Sequence, residues 1–217
     1  MLRHDYILRL ISQIARVVAR MMGKMKTADP EEFENEIDSA LKELSGLRFS
    51  LLDSLSLKSL LDILLTDGEI DPGRCLAIAE LSALRAELDA SEGHHDSAAQ
   101  RRMMASVLYL EAFLIFRHES LNPAVARMEE TLTKIKPYDL PEELLIRLFR
   151  FRAANGDFAA AEDALYEMLD RDIGGPKLRG EASRFYDQLL TLSDEELEAG
   201  RLPRVEVLEG LETIGTF

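Results

Sequence analysis

The sequence predicts an all-α protein built from antiparallel helical hairpins, with a long amphipathic N-terminal helix and a short α-solenoid in its second half. Three observations predict this. Apolar residues recur every three or four positions along most of the chain. Helix starts are marked by a capping residue followed by proline, as at Asp29-Pro30 and Asp71-Pro72. No segment shows the alternation of apolar and polar residues that is typical of strands.

The first helix is predicted over residues 2–25, with an apolar stripe on one face and arginines on the other. The stripe consists of Ile7, Leu10, Ile11, Ile14, Val18, Met21 and Met25. A shorter second helix would leave part of this stripe exposed to water, which is unfavourable. We therefore expect the chain to form a homo-oligomer, most simply a dimer, through this helix. Packing on the chain's own core and contact with an anionic membrane surface are the alternatives, and the membrane is the less favoured partner.

The remaining helices follow one another with short connections. Residues 47–65 are leucine-rich and predict one or two short helices that end before Thr66-Asp67-Gly68. Asp96 is expected to cap the helix that follows the turn at Glu92. Ser193 and Glu196 have the spacing of a capping box. The predicted helices cover about residues 30–44, 71–90, 96–118, 122–135, 141–154, 157–171 and 178–191, and a short one follows Ser193.

Two segments in the second half repeat one pattern of small and large apolar residues. Gly156-Asp157-Phe158, followed by Ala161, Leu165 and Leu169, resembles the turn and second helix of a tetratricopeptide repeat. An earlier copy aligns Ala124 with Ala161. The resemblance implies that Ala112, Ala124 and Ala161 lie where helices cross closely. Phe149 departs from the family, because it stands where a small residue is usual.

These features divide the chain into a region 1–66, with the amphipathic helix and a helical hairpin region, and a repeat region 67–217, unless the two form one continuous domain. As a whole, the chain is similar to an uncharacterised family of bacterial helical proteins. The resemblance lies in the opening His4-Asp5-Tyr6-Ile7, the segment 67–72 and the segment 192–197. It implies a helical fold and a bacterial source, and it carries no activity.

We predict no catalytic, cofactor-binding or metal-binding residues. The carboxylates at positions 67, 69 and 71 lack the glycine and glutamate positions of a calcium loop. His94 and His95 share a turn with two carboxylates but lack the ligand spacing of a zinc site, and His4 and His118 are expected to be isolated. Cys75 is expected to be partly buried and inert, with a reactive thiol at a helix start as the alternative.

The net charge of −14 makes nucleic acid an improbable partner, because phosphate would be repelled. A single cysteine and the absence of a long uninterrupted apolar stretch indicate a cytoplasmic protein. The sequence therefore favours a non-catalytic interaction or scaffold protein with an unknown protein partner. A membrane-surface adaptor that uses the first helix, and an enzyme without a recognisable motif, are the alternatives.

Overall fold

The computed structural model describes the backbone of residues 2–25 and 27–216, and the side chains of residues 4–25 and 27–214. Met1, Lys26 and Phe217, which fall within the predicted regions, lie outside the described residues. The chain is 79% helical, which confirms the all-α prediction. None of the helices in the described ranges has the length and apolarity needed to cross a bilayer.

The chain forms two compact units, residues 1–140 and 141–217. The division predicted at residues 66–67 falls inside the first unit and stays a prediction. The boundary between the units lies between the two predicted repeat copies. The stacking of one copy on the other therefore also stays a prediction.

In the first unit, one long helical hairpin is the centre of the packing. The elements are α1 (Leu2–Lys24), α2 (Pro30–Ser45), α3 (Phe49–Leu52), α4 (Leu57–Ile63), β1 (Leu65–Thr66), β2 (Glu69–Ile70), α5 (Pro72–Ser91), α6 (His95–Ile115), a 3-10 helix (Glu119–Leu121) and α7 (Asn122–Ile135). Helix α5 packs against α1, α2 and α6, and α6 packs in turn against α7. Helix α5 is consequently buried on most of its circumference.

The starts of α2 and α5 follow the predicted pattern. Asp29 accepts hydrogen bonds from the backbone N–H groups of Glu31 and Glu32. Asp71 accepts from those of Gly73 and Arg74 at 2.9 and 3.1 Å. The prediction for α6 is wrong by two residues, because His94 occupies the cap position without a side-chain hydrogen bond. Asp96 lies in the first turn of α6, where its negative charge interacts favourably with the positive end of the helix dipole.

A short antiparallel hairpin interrupts the helices between α4 and α5. Leu65 pairs with Ile70, and Thr66 pairs with Glu69. The turn consists of Asp67 and Gly68, both with positive φ, at 54° and 80°. Asp-Gly is a strong signal for a two-residue hairpin turn of this kind. The segment considered for calcium therefore forms a hairpin turn.

In the second unit, two pairs of helices account for most of the packing. The elements are α8 (Glu142–Ala154), α9 (Phe158–Asp170), α10 (Gly175–Leu190), α11 (Asp194–Ala199) and α12 (Arg204–Thr216). Helix α8 packs against α9, and α10 packs against α12. The predicted capping box of Ser193 and Glu196 is present at the start of α11. A Cβ atom on Gly210 would lie 2.5 Å from the Tyr186 ring, so glycine permits the close approach of α12 to α10.

The alanines assigned to helix crossings are all buried. Ala112 is 1% exposed, Ala124 4% and Ala161 0%. Ala112 and Ala124 belong to the packed pair α6 and α7, and Ala161 belongs to the packed pair α8 and α9. Their burial is consistent with close crossings, and that assignment stays a prediction.

Candidate functional site

An open groove with a largely apolar lining runs between α8 and α10 in the second unit. Its volume is about 580 Å³, which lies within the range of ligand-binding clefts. Phe149 and Phe185 form part of its lining, with their rings edge to face and the ring centroids 5.3 Å apart. The other apolar lining residues are Ala153, Ala154, Phe158, Leu189 and Leu192. Phe149, which departs from the repeat pattern, therefore belongs to the groove.

Two arginines and one glutamate supply the charges of this groove. Arg150 donates from Nε and Nη2 to both carboxylate oxygens of Glu181, at distances of 2.7 to 3.1 Å. These hydrogen bonds lower the pKa of Glu181. Arg184, which is exposed, is the second cation of the lining. The groove thus has a positive excess in a chain whose net charge is −14.

The turn between α11 and α12, at residues 200–201, contacts the start of α9 next to the groove. The carbonyl oxygen of Gly200 accepts a hydrogen bond of 3.1 Å from the Ala159 N–H. Asp157 accepts hydrogen bonds from Arg152 and Arg201. A Cβ atom on Gly200 would lie 2.1 Å from the Phe158 ring, so this contact requires a glycine. The segment 200–201 therefore fixes the position of one aromatic lining residue.

The first unit contains a buried acid–base pair beside a much smaller cavity. Glu80 is 1% exposed and accepts two hydrogen bonds from Arg127, the one from Nε being 2.6 Å long. Burial lowers the pKa of Arg127, but the hydrogen bonds and charge of Glu80 outweigh this and raise it overall. The adjoining cavity of about 140 Å³ is also lined by Met22 and Met25. Such a volume is below that of ordinary ligand sites.

The hydroxyl group of Tyr109 lies near this pair. It is buried and has no hydrogen-bond partner among the described residues. Burial, together with the negative charge of Glu80, raises the pKa of Tyr109 well above its ordinary value. Sequence reasoning missed this site, although Glu80 is a lone charge in the apolar run from Leu76 to Leu81. An acidic residue at an inward-facing position was the available signal.

A second buried carboxylate, Asp89, is saturated by arginines. Its Oδ1 accepts from Arg85 Nε at 3.1 Å, and its Oδ2 accepts from Arg101 Nε at 2.8 Å. Asp89, Glu92 and His94 offer ligand atoms within 4.8 Å of one another, a spacing that a metal ion could use. Because both oxygens of Asp89 already accept from guanidinium groups, a cation would have to displace an arginine. The arrangement is better described as an ionic link between α5 and α6.

The apolar stripe of α1 is directed into the first unit. Six of the seven stripe residues are buried within the chain, and Met25 is half-buried. A Cβ atom on Gly73 would lie 2.5 Å from Leu10 Cδ2, so α1 and the start of α5 are in close contact. The exposed apolar surface from which self-association was inferred is therefore largely absent. Self-association through this stripe stays a prediction.

The structure also places Cys75 and the two histidines that were expected to be isolated. Cys75 is fully buried. His4 and His118 are not isolated, because their ring centroids are 5.6 Å apart and both rings contact Phe116. The chain brings these rings together because α1 packs against the 3-10 helix that follows His118.

The comparison with protein families gives one match. The model described as "Family of unknown function (DUF6483)" matches residues 1–217, so the chain belongs to this family. This confirms the resemblance to an uncharacterised family. No curated protein and no solved structure shows significant similarity to the chain.

Proposed function

We propose that this member of a family of unknown function is a non-catalytic binding protein whose second unit receives a segment of another protein. The observation that carries this proposal is the groove between α8 and α10, with its aromatic lining and excess of arginine. Aromatic and arginine side chains that a partner buries dominate binding energies at protein interfaces, and here Phe158 and Arg184 are accessible to a partner. We further propose that the protein acts in the cytoplasm, since its single cysteine is buried and needs no oxidising compartment.

The chemistry of the groove specifies the kind of segment it would accept. Phe149 and Phe185 are themselves buried, and the partly exposed Phe158 and Leu192 favour apolar side chains that are spaced along one face of a helix. Arg184 favours a carboxylate beside those apolar residues. Glu181 is already engaged by Arg150, so it presents less unbalanced negative charge to a partner. We therefore propose an amphipathic helix with acidic residues flanking its apolar face.

The polar groups of the other cavity support a binding protein over an enzyme. Glu80 and Arg127 satisfy each other, and the cavity beside them is small. A general acid or base must be able to reach a substrate atom. In the described structure the Glu80 carboxylate is instead occupied by Arg127.

A peptide selection with the full chain as the bait tests the proposal. A displayed library of helical peptides is screened against the wild-type protein, and the selected peptides are then measured against Arg184→Glu. We expect peptides with apolar residues at helical spacing and adjacent acids, bound about tenfold more weakly by Arg184→Glu, a loss of about 1.4 kcal/mol.

The matched control is Arg171→Glu, which reverses an arginine of the same unit that is not among the groove-lining residues. We expect this variant to bind the selected peptides as the wild type does. Failure to select any peptide would contradict the proposal. Equal losses in the two variants would show that net charge, and not the groove, determines binding.

A further inference from the structure

Helix α12 has an apolar surface on each of two sides. Its inner side, with Val207, Gly210 and Ile214, is buried in the second unit. Its outer side carries Val205 and Leu208, which are 65% and 47% exposed. The value for Val205 is the highest among the exposed large apolar side chains of the described residues. The folded unit therefore leaves this outer apolar pair uncovered.

Acidic residues continue the exposed stripe of α12. Val205, Leu208, Glu209 and Glu212 follow one another at the spacings that place side chains on one face of a helix. The stripe thus combines two apolar residues with two carboxylates along a helix of 13 residues, about 20 Å long. Helix α8, one wall of the groove, also has 13 residues, so the two helices match in length.

We propose that two copies of this chain associate by placing the Val205–Leu208 face of α12 from each copy in the α8–α10 groove of the other. This inference rests on the proposed function of the groove, and it names a second copy as the occupant. The apolar pair would meet Phe158 and Leu192, the partly exposed large apolar residues of the lining, and Glu209 would meet Arg184. Charge complementarity carries the choice of occupant, because an acidic helix meets a groove with an excess of arginine.

The overall charge of the chain opposes association. Two copies with a net charge of −14 each repel one another, and a contact between surfaces of opposite sign offsets part of this repulsion. At 0.15 M salt the Debye length is about 8 Å, so distant charges are screened more than charges in contact. Association is therefore best measured at that ionic strength.

Sedimentation velocity of the full chain at tens of micromolar provides the first test. We expect a dimer for the wild type and a monomer for the double variant Val205→Ser, Leu208→Ser. Both side chains are exposed, so the variant retains its fold, which circular dichroism verifies. The matched control is Leu65→Ser, which removes an apolar side chain of similar exposure, 45%, from the first unit. This control is expected to remain dimeric.

A charge exchange provides the second test. Arg184→Glu and Glu209→Arg are prepared as separate proteins, and each is expected to dimerise at least about tenfold more weakly than the wild type. In an equimolar mixture, one of the two reciprocal contacts carries both substitutions and the other carries neither. Both contacts of the mixed dimer are then complementary, so native mass spectrometry should show mixed dimers in excess over either homodimer.

Three results would overturn the inference: a monomeric wild type, a dimer that survives the α12 double substitution, or mixed variants without preferential pairing. The peptide selection separates this failure from failure of the groove itself. If the wild type is monomeric but selected peptides bind in an Arg184-dependent manner, the proposed function stands and the second copy is the wrong occupant. If neither occurs, both proposals fail.

Discussion

The two units contain the same arginine–glutamate pair in different surroundings. In the first unit, Arg127 donates two hydrogen bonds to Glu80, whose side chain is 1% exposed. In the second unit, Arg150 forms the same kind of fork with Glu181, but the two side chains are 42% and 17% exposed. The first pair lies in the core, and the second lies at the edge of an open groove.

The same kind of ion pair therefore differs in its expected contribution to stability between the two places. A buried carboxylate that loses its partner is still removed from water but is no longer compensated by an opposite charge. Breaking such a pair therefore strongly destabilises the folded state. An exposed pair contributes little to folding because water and salt screen it. The groove pair can therefore rearrange at small cost, whereas the core pair joins α5 to α7.

The largest expected effect is a direct contrast between the two pairs. Arg127→Met should cost about 3–5 kcal/mol of unfolding free energy, because it leaves Glu80 buried and unpaired. Arg150→Met should cost less than about 1 kcal/mol, because Arg150 is exposed and Glu181 stays partly accessible to water. Urea unfolding of both variants measures the difference. Equal losses of unfolding free energy would contradict the distinction between a core pair and a groove pair.

A substitution in the apolar stripe of α1 tests whether this stripe is buried within a single chain. Ile14 is 1% exposed within the chain, so Ile14→Ala should cost about 2–5 kcal/mol. The difference in melting temperature from the wild type should be the same at every protein concentration. A difference that depends on concentration would instead place Ile14 in an intermolecular seam. Arg16→Ala, at an exposed position of the same helix, serves as the control.

An overpacking substitution tests the predicted packing of the second unit. Ala161 is fully buried in α9, so Ala161→Leu should cost about 1–3 kcal/mol in thermal or urea unfolding. Ala126→Leu, at an exposed position of α7, should have little effect. If Ala161→Leu leaves stability unchanged, the predicted repeat register is wrong.

The smallest expected effect compares two fully buried tyrosines, one in each unit. The Tyr186 hydroxyl donates to Glu162 Oε1 at 2.6 Å, whereas the Tyr109 hydroxyl has no partner among the described residues. Tyr186→Phe should therefore cost about 1 kcal/mol, and Tyr109→Phe should be neutral or slightly stabilising. A larger loss for Tyr109→Phe, measured by urea unfolding, would reveal a hydrogen bond at that hydroxyl, as from a buried water.

Local signals in the sequence predicted the helices well, and the tertiary arrangement much less. Asp29, Asp71 and Ser193 determine their helix starts through short-range hydrogen bonds, which a single sequence reveals. The periodicity of α1 predicted its apolar face correctly. It could not show that α5 as well as α2 covers that face, because the contact depends on residues distant in sequence.

The candidate site was predictable only in part, for the same reason. Phe149 was recognised as a departure from the repeat pattern, but its contact with Phe185 comes from a helix more than twenty residues later. The exposed pair Val205 and Leu208 lies in α12, which is not among the predicted helices. Glu80 and Arg127 are 47 residues apart, and neither one alone predicts the pair.

We propose that the second unit, and not the first, binds the partner segment. Methyl-labelled full-length protein, titrated with a peptide selected against the wild type, tests this most directly. We expect the NMR signals of Leu189 and Leu192 in the groove to shift until saturation, while those of Leu110 and Leu64 in the first unit do not. Shifts confined to the first unit at saturation would contradict it.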